Sequence, residues 1–334
     1  MYKRQEDITK DTFDFNFLKG PYDEIIFFGC GTDFNLCQSA SFFTKSLLDN
    51  CTCSALPPSE LLINSGTYLK ENKKYLVIGF SRSGETTESI EVLERLKTKT
   101  NVTLYIFSAV KNSKIIDLAQ NYFICRGAVE KSVSMTKAYT GFLFAYCVIL
   151  CRFLGRADML AEFEQLIKYL KNNMNILFDR LENYLENIQF SNFFALGSGF
   201  DYGIAVEADL KMKEMSQTQA YSYYLHEFNH GPKTMAGSES LIFILTLNKG
   251  LFKLEKVLED IIGLGSKVLV VSADSFTDIK NENIHFLIRD LDFKFDMVKS
   301  FINIPIFHML AYIQSSKKNL NPDKPRNLNF TTKI

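Results

Sequence analysis

Tyr75-Leu76-Val77-Ile78-Gly79-Phe80-Ser81-Arg82-Ser83-Gly84-Glu85-Thr86-Thr87 runs from an apolar segment through a hydroxyl-rich turn towards a helix. Four consecutive apolar residues read as a strand buried on both faces. Glu88 to Lys97 has helical spacing, with Ile90, Val92, Leu93 and Leu96 apolar. A turn from strand to helix aims unpaired backbone N–H groups and the positive helix end at an anion. Ser81, Ser83, Thr86 and Thr87 add neutral donors, which suit a phosphate monoester on a small metabolite. No Gly-Lys-Ser/Thr follows, which disfavours a nucleoside triphosphate. The plainer alternative is a Ser/Thr-rich helix N-cap.

The same design occurs twice. Gly29-Cys30-Gly31-Thr32-Asp33-Phe34 and Gly197-Ser198-Gly199-Phe200-Asp201-Tyr202 share Gly-x-Gly-x-Asp-aromatic, 168 residues apart, each between an apolar strand and a helix. This pattern points to a duplicated α/β domain. In the first copy, predicted strands at 24–29, 51–55, 75–80, 102–108 and 122–125 alternate with helices at 34–48, 58–68, 86–98 and 113–119. In the second, strands fall near 192–197, 219–224, 241–246, 267–272 and 284–288, with helices near 201–217, 251–263 and 296–315. Lys131 to Leu154 and Ala157 to Leu185 read as long helices broken by Gly155. Such alternation predicts doubly wound parallel sheets, with ligands outside the carboxyl ends of the strands.

Composition narrows the ligand. The 334 residues allow two domains, and 46% hydrophobic content with 30 Phe supplies ample core. Thirty-eight basic against 38 acidic residues, with no long one-sign run, gives no signature of nucleic acid or an anionic membrane. No apolar run reaches about 18 residues, and the N-terminus is polar, so a cytoplasmic protein is expected. All seven cysteines lie at or before Cys151, mostly in apolar surroundings, which reads as core usage. Cys51-Thr52-Cys53 is a close pair with no matching ligands, so no metal site is expected.

A second constellation lies further on. Glu207, Lys211 and Glu214 fall at i, i+4 and i+7, hence on one helical face, which by periodicity alone reads as solvated. The segment Tyr221-Ser222-Tyr223-Tyr224-Leu225-His226-Glu227-Phe228-Asn229-His230-Gly231-Pro232-Lys233 then holds two of the four histidines. An imidazole exchanges protons near neutral pH, and a carboxylate acts as a base once partly buried. His230 is the better catalytic candidate, and His226, Glu227 and Glu207 are secondary ones. His285 and His308 read as structural.

Together, Ser81–Thr86, the Glu207-to-Glu214 helix, Glu227-Phe228-Asn229-His230-Gly231-Pro232 and the Pro325-Arg326-Asn327-Leu328 tail resemble the double sugar-isomerase (SIS) domain family. That family includes the isomerase half of glucosamine-6-phosphate synthase and stand-alone amino-sugar-phosphate isomerases and deaminases. The resemblance implies an α/β fold of two tandem doubly wound, flavodoxin-like parallel sheets. Expected boundaries are an N-terminal segment 1–23, a first domain 24–155, linking helices 156–190, a second domain 191–320, and a tail 321–334 closing over the active site. It implies a sugar 6-phosphate held on Ser81, the Arg82 backbone, Ser83 and Thr86, with Cys30, Gly31, Thr32 and Val133 lining the pocket. Glu214 would be the C1–C2 base, Lys211 its electrostatic partner and His230 the ring-opening acid/base, supplied by the other subunit of a homodimer. No metal or organic cofactor is implied.

Two positions depart from the family pattern. Asp33 stands where relatives commonly have Ser, so its charge must turn away from a bound phosphate, for instance to cap the following helix. Phe330 stands where relatives carry a lysine that reaches the sugar carbonyl, and Lys333 is out of register. No glutaminase activity is expected of this chain, which leaves isomerase chemistry with free ammonia. Glu130 to Lys137 resembles the deaminase and deglycase branch. The expectation is therefore conversion of glucosamine 6-phosphate to fructose 6-phosphate and ammonia. A fructosamine 6-phosphate deglycase, a ketose–aldose isomerase and a non-catalytic sugar-phosphate sensor are the rivals.

Overall fold

The computed structural model describes residues 15–247, 254–273, 281–289 and 291–332. Residues 1–14 of the expected N-terminal segment, 251–253 of one predicted helix, and Lys333 lie outside them. The chain divides into two units, Met1–Ala161 with Asn327–Ile334, and Glu162–Arg326.

The first unit contains β1 (Glu24–Phe28), α1 (Thr32–Leu47), β2 (Thr52–Leu56), α2 (Pro58–Ile63), α3 (Ser65–Tyr68), β3 (Tyr75–Ser81), α4 (Thr87–Leu96), β4 (Val102–Ser108), α5 (Lys114–Leu118), β5 (Tyr122–Ile124) and α6 (Lys137–Phe153). The strands pair in parallel in the order β2-β1-β3-β4-β5, the flavodoxin-like winding. β3 is buried along its whole length, as an apolar run covered on both faces requires. An aromatic cluster of Phe80, Phe107, Phe142 and Tyr146 fills one face, and the Tyr146 hydroxyl is satisfied by Thr44 Oγ1 at 2.6 Å.

The second unit takes most of α7 (Ala157–Leu185), then β6 (Asn192–Gly197), α8 (Phe200–Ser216), β7 (Gln219–Tyr224), β8 (Ser240–Leu247), α9 (Leu254–Ile262), β9 (Lys267–Ala273), β10 (Ile284–Arg289), α10 (Asp296–Lys299) and α11 (Asn303–Lys317). Its parallel order, β10-β9-β8-β6-β7, repeats the first winding. The duplicated corner repeats in detail. Gly31 and Gly199 precede α1 and α8 at φ +57° and +59°, and both have ψ −121°. A Cβ on Gly29 would lie 2.7 Å from the Asp33 backbone, and one on Gly197 would lie 2.4 Å from Asp201 O. Each motif therefore spends one glycine on a left-handed turn and one on close helix–strand packing.

Three predicted helices differ. Lys131 to Leu154 is helical only from Lys137, because the Glu130 carboxylate accepts from the backbone N–H groups of Thr136, Lys137 and Ala138 at 3.0–3.2 Å. The 58–68 segment divides at Asn64 into α2 and α3. The 296–315 segment becomes α10, a 3₁₀ turn over Ser300–Ile302, and α11. Pro305 sits in the first turn of α11, where its missing N–H costs nothing. The cysteines differ too: Cys37, Cys125, Cys147 and Cys151 are buried, but Cys30, Cys51 and Cys53 are only half-buried.

α8 and α11 lie side by side and run the same way. Asn303 Nδ2 donates to Asp201 Oδ1 at 3.2 Å, and Lys318 Nζ donates to Ser216 O at 3.0 Å. The offset is 102 residues at both ends, which fixes which α11 residue faces which turn of α8.

Candidate active site

In the first unit, the β3–α4 loop carries the hydroxyls expected to hold a phosphate. Ser81 Oγ accepts from Gly84 N at 3.2 Å and Ser83 Oγ accepts from Glu85 N at 3.2 Å, so each hydroxyl keeps its own proton to donate. Thr86 precedes α4 without capping it through its side chain. Gly84 turns the loop at φ +69°, and a Cβ there would meet Ser113 Oγ at 2.2 Å.

Asp33 does not cap α1. It is 6% exposed and its Oδ2 accepts from Arg82 N at 3.4 Å. The backbone N–H of Arg82, expected to face a phosphate, is thus directed to Asp33. The Arg82 side chain is held as well: Nη1 donates to Ser132 O at 2.9 Å and stands 3.5 Å from Glu130 Oε1. Its Nη2 donates to Phe330 O at 3.0 Å, and the Phe330 ring lies 4.0 Å from the guanidinium. The aromatic that replaces the family lysine therefore fastens the tail to the loop's arginine. Cys30 Sγ lies 3.7 Å from both Glu88 Oε2 and Ser89 Oγ, and burial pushes its thiol up to about 12, so it stays neutral. Thr32 is buried, Gly31 is exposed and Val133 is half-buried.

In the second unit, Glu207, Lys211 and Glu214 come together on α8, and the face is not solvated. Glu207 and Lys211 are fully buried, whereas the Glu214 side chain is 17% exposed. Lys211 Nζ stands 3.3 Å from Glu207 Oε1 and donates to Glu214 Oε2. Burial pulls the ammonium down, but the two carboxylates outweigh it and hold Lys211 above its ordinary range.

His308, read from sequence as structural, sits beside this cluster. The 102-residue offset sets it level with Val206, one turn before Lys211. It is 8% exposed, and neither ring nitrogen has a hydrogen-bond partner. Burial first, and the Lys211 charge second, push it down to about 3, so it is neutral at neutral pH. The loop after β7 is anchored by buried Leu225 and Phe228, the latter 5.4 Å from the Phe194 ring. His226 is half-buried, and Glu227 and His230 are exposed. Among the described residues, no hydrogen bond or ion pair joins His230 to Glu214, and no group of three or more His, Cys, Asp or Glu is arranged to hold a metal ion. No helix among them is long and apolar enough to cross a membrane.

Two copies of one winding, each with its glycine corner, define a tandem, doubly wound α/β fold. The SIS domain profile matches residues 22–152 and again 189–310, and the chain belongs to that family. It is 25% identical over 310 residues, 92% of its length, to the isomerizing glutamine–fructose-6-phosphate aminotransferase of Methanothermobacter thermautotrophicus, and 27% identical over 314 residues to that of Francisella tularensis. It spans about half the length of these relatives, 51% and 50%. In structure it is similar to glucosamine-6-phosphate deaminase from Thermotoga maritima, with a TM-score of 0.79, 24% identity and 99% and 98% of the two chains covered. Tagatose-6-phosphate ketose/aldose isomerase from Escherichia coli gives a TM-score of 0.81 at 21% identity, covering 94% and 89%. Both likenesses extend to the fold.

Proposed function

We propose that the chain is an amino-sugar 6-phosphate isomerase that releases ammonia, converting glucosamine 6-phosphate and water to fructose 6-phosphate and ammonia. The observation that carries this reading is Glu214: a carboxylate with one face open, beside a lysine kept charged by a second, buried carboxylate. A proton alpha to a carbonyl or imine requires such a base, and a fixed cation stabilises the oxygen charge that develops. Glu214 takes the C2 proton of the open-chain aldose and returns it to C1. Water then hydrolyses the resulting ketose imine. Ser81, Ser83 and Thr86 hold the phosphate, with Cys30, Gly31, Thr32 and Val133 around it. Exposed His230 opens the sugar ring in a second copy of the chain, so the working form is a homodimer in the cytoplasm. The chemistry needs no metal or organic cofactor.

The test is ammonia and fructose 6-phosphate measured together from glucosamine 6-phosphate, with Glu214→Gln as control. Equal amounts of both products, lost in the variant while sugar-phosphate binding persists, support the proposal. Unimpaired turnover by Glu214→Gln removes Glu214 as base. Binding without either product turns the reading to a deglycase or a sensor.

A further inference from the structure

Cys51 and Cys53 stand apart from the thiols of the core. They lie at i and i+2 across the entry to β2, Cys51 just before the strand and Cys53 within it. Both are half-buried, and Cys51 Sγ donates to Thr52 O at 3.4 Å. Cys53 Sγ also points at Cys51 O, 3.9 Å away. Among the described residues β2 is the edge of its sheet: Cys53 pairs with Ile25 on one side, and no described strand pairs on the other. Residues i and i+2 of a strand are about 6.6 Å apart, just inside the reach of a disulfide. Cys51 occupies a bend ahead of the strand, which shortens that span. A cavity of about 500 Å³, lined by Cys51 with Pro21, Tyr22 and Leu48, gives an incoming reagent room.

We propose that Cys51 and Cys53 are a reversible dithiol modification site whose oxidant is a low-molecular-weight disulfide. The Cys51 thiolate attacks one sulfur of that disulfide, forming a mixed disulfide and expelling one thiolate. The Cys53 thiol then loses its proton and attacks Cys51 Sγ, closing Cys51–Cys53 and expelling the second thiol. Two protein thiols are oxidised and one small disulfide is reduced to two thiols. The order of attack follows from access, because Cys51 lines the cavity and Cys53 is not among its lining residues. The neighbouring Cys53 thiol also holds Cys51 below the ordinary thiol range, against the opposing effects of burial and of Glu24 and Asp23, while Cys51 and burial raise Cys53. The thiolate is the nucleophile, so Cys51 attacks and Cys53 resolves.

The full chain is incubated with oxidised glutathione, acid-quenched, alkylated and peptide-mapped by mass spectrometry. Wild type is expected to lose two hydrogens in the peptide that carries both residues, reversibly with dithiothreitol. Cys53→Ser is expected to stop at one glutathione on Cys51, and Cys51→Ser to take none. Circular dichroism establishes that both variants fold. Alkylation of wild type with iodoacetamide, which needs no variant, is expected to label Cys51 at least severalfold faster than Cys30. Slower labelling of Cys51 than of Cys30, a bridge involving another cysteine, or a wild-type protein that halts at the mixed disulfide would each overturn the proposal.

Discussion

Replacing Lys211 by methionine isolates the energetics of the α8 cluster from its chemistry. Lys211 and Glu207 have no exposure, so removing the ammonium takes from the buried Glu207 carboxylate its Lys211 counter-charge, whereas partly exposed Glu214 can turn to water. Breaking a buried pair by deleting one partner costs about 3–5 kcal/mol. Neutralising both partners in Glu207→Gln/Lys211→Met leaves only an amide to satisfy, so the double variant is expected to lie within about 1–2 kcal/mol of wild type. The chain lacks tryptophan, so urea unfolding would be followed by tyrosine fluorescence and circular dichroism. The single variant should also regain stability as pH falls from 7.5 to 5, by up to about 1.4 kcal/mol per pH unit, because the stranded carboxylate takes up a proton on folding. A loss under about 1 kcal/mol, additive with Glu207→Gln and flat with pH, would refute the reasoning.

Ser83→Ala removes one hydroxyl donor from the loop after β3 and should weaken fructose 6-phosphate binding about tenfold by calorimetry, with folding unchanged; unaltered affinity would take Ser83 out of the phosphate site. Phe330→Ala deletes the ring over Arg82, worth about 1–2 kcal/mol against a desolvated guanidinium, and should speed tryptic cleavage after Arg326. Equal cleavage rates would mean that the ring does not hold the tail. His308 has a folded value near 3, below the ordinary 6.5, so the unfolded chain takes its proton first. Its contribution to stability is complete above about pH 6.5 and drains away towards pH 3, with a slope of up to about 1.4 kcal/mol per unit. His308→Gln should flatten that acid limb, and an unchanged limb would show that His308 does not set it.

The strands were legible because buried parallel strands are nearly continuous apolar runs, as in Phe193 to Leu196 and Val268 to Val271. Helix starts were less so where the cap is remote: Glu130 fixes α6 from six to eight residues upstream, and no local signal marks it. Glu207, Lys211 and Glu214 were recognisable by spacing, but their burial was not, since it depends on α11, about a hundred residues further along the chain. The place of His308 beside them was not legible for the same reason. Its relevance depends on the register between α8 and α11, which only the pairs Asn303–Asp201 and Lys318–Ser216 reveal. Cys51 and Cys53 were read only as a close pair unsuited to a metal, while the edge position of β2 is a property of the sheet.

The two glycine–aspartate corners share one backbone but bind differently. Asp33 braces the hydroxyl-rich loop through Arg82 N, whereas Asp201 is tied to Asn303 on α11. Duplication has thus been followed by a division of labour. One aspartate braces a hydroxyl-rich turn, and its twin has become a fastening within the scaffold. The halves are no longer interchangeable, and a chain assembled from two copies of either would inherit one duty twice and lose the other.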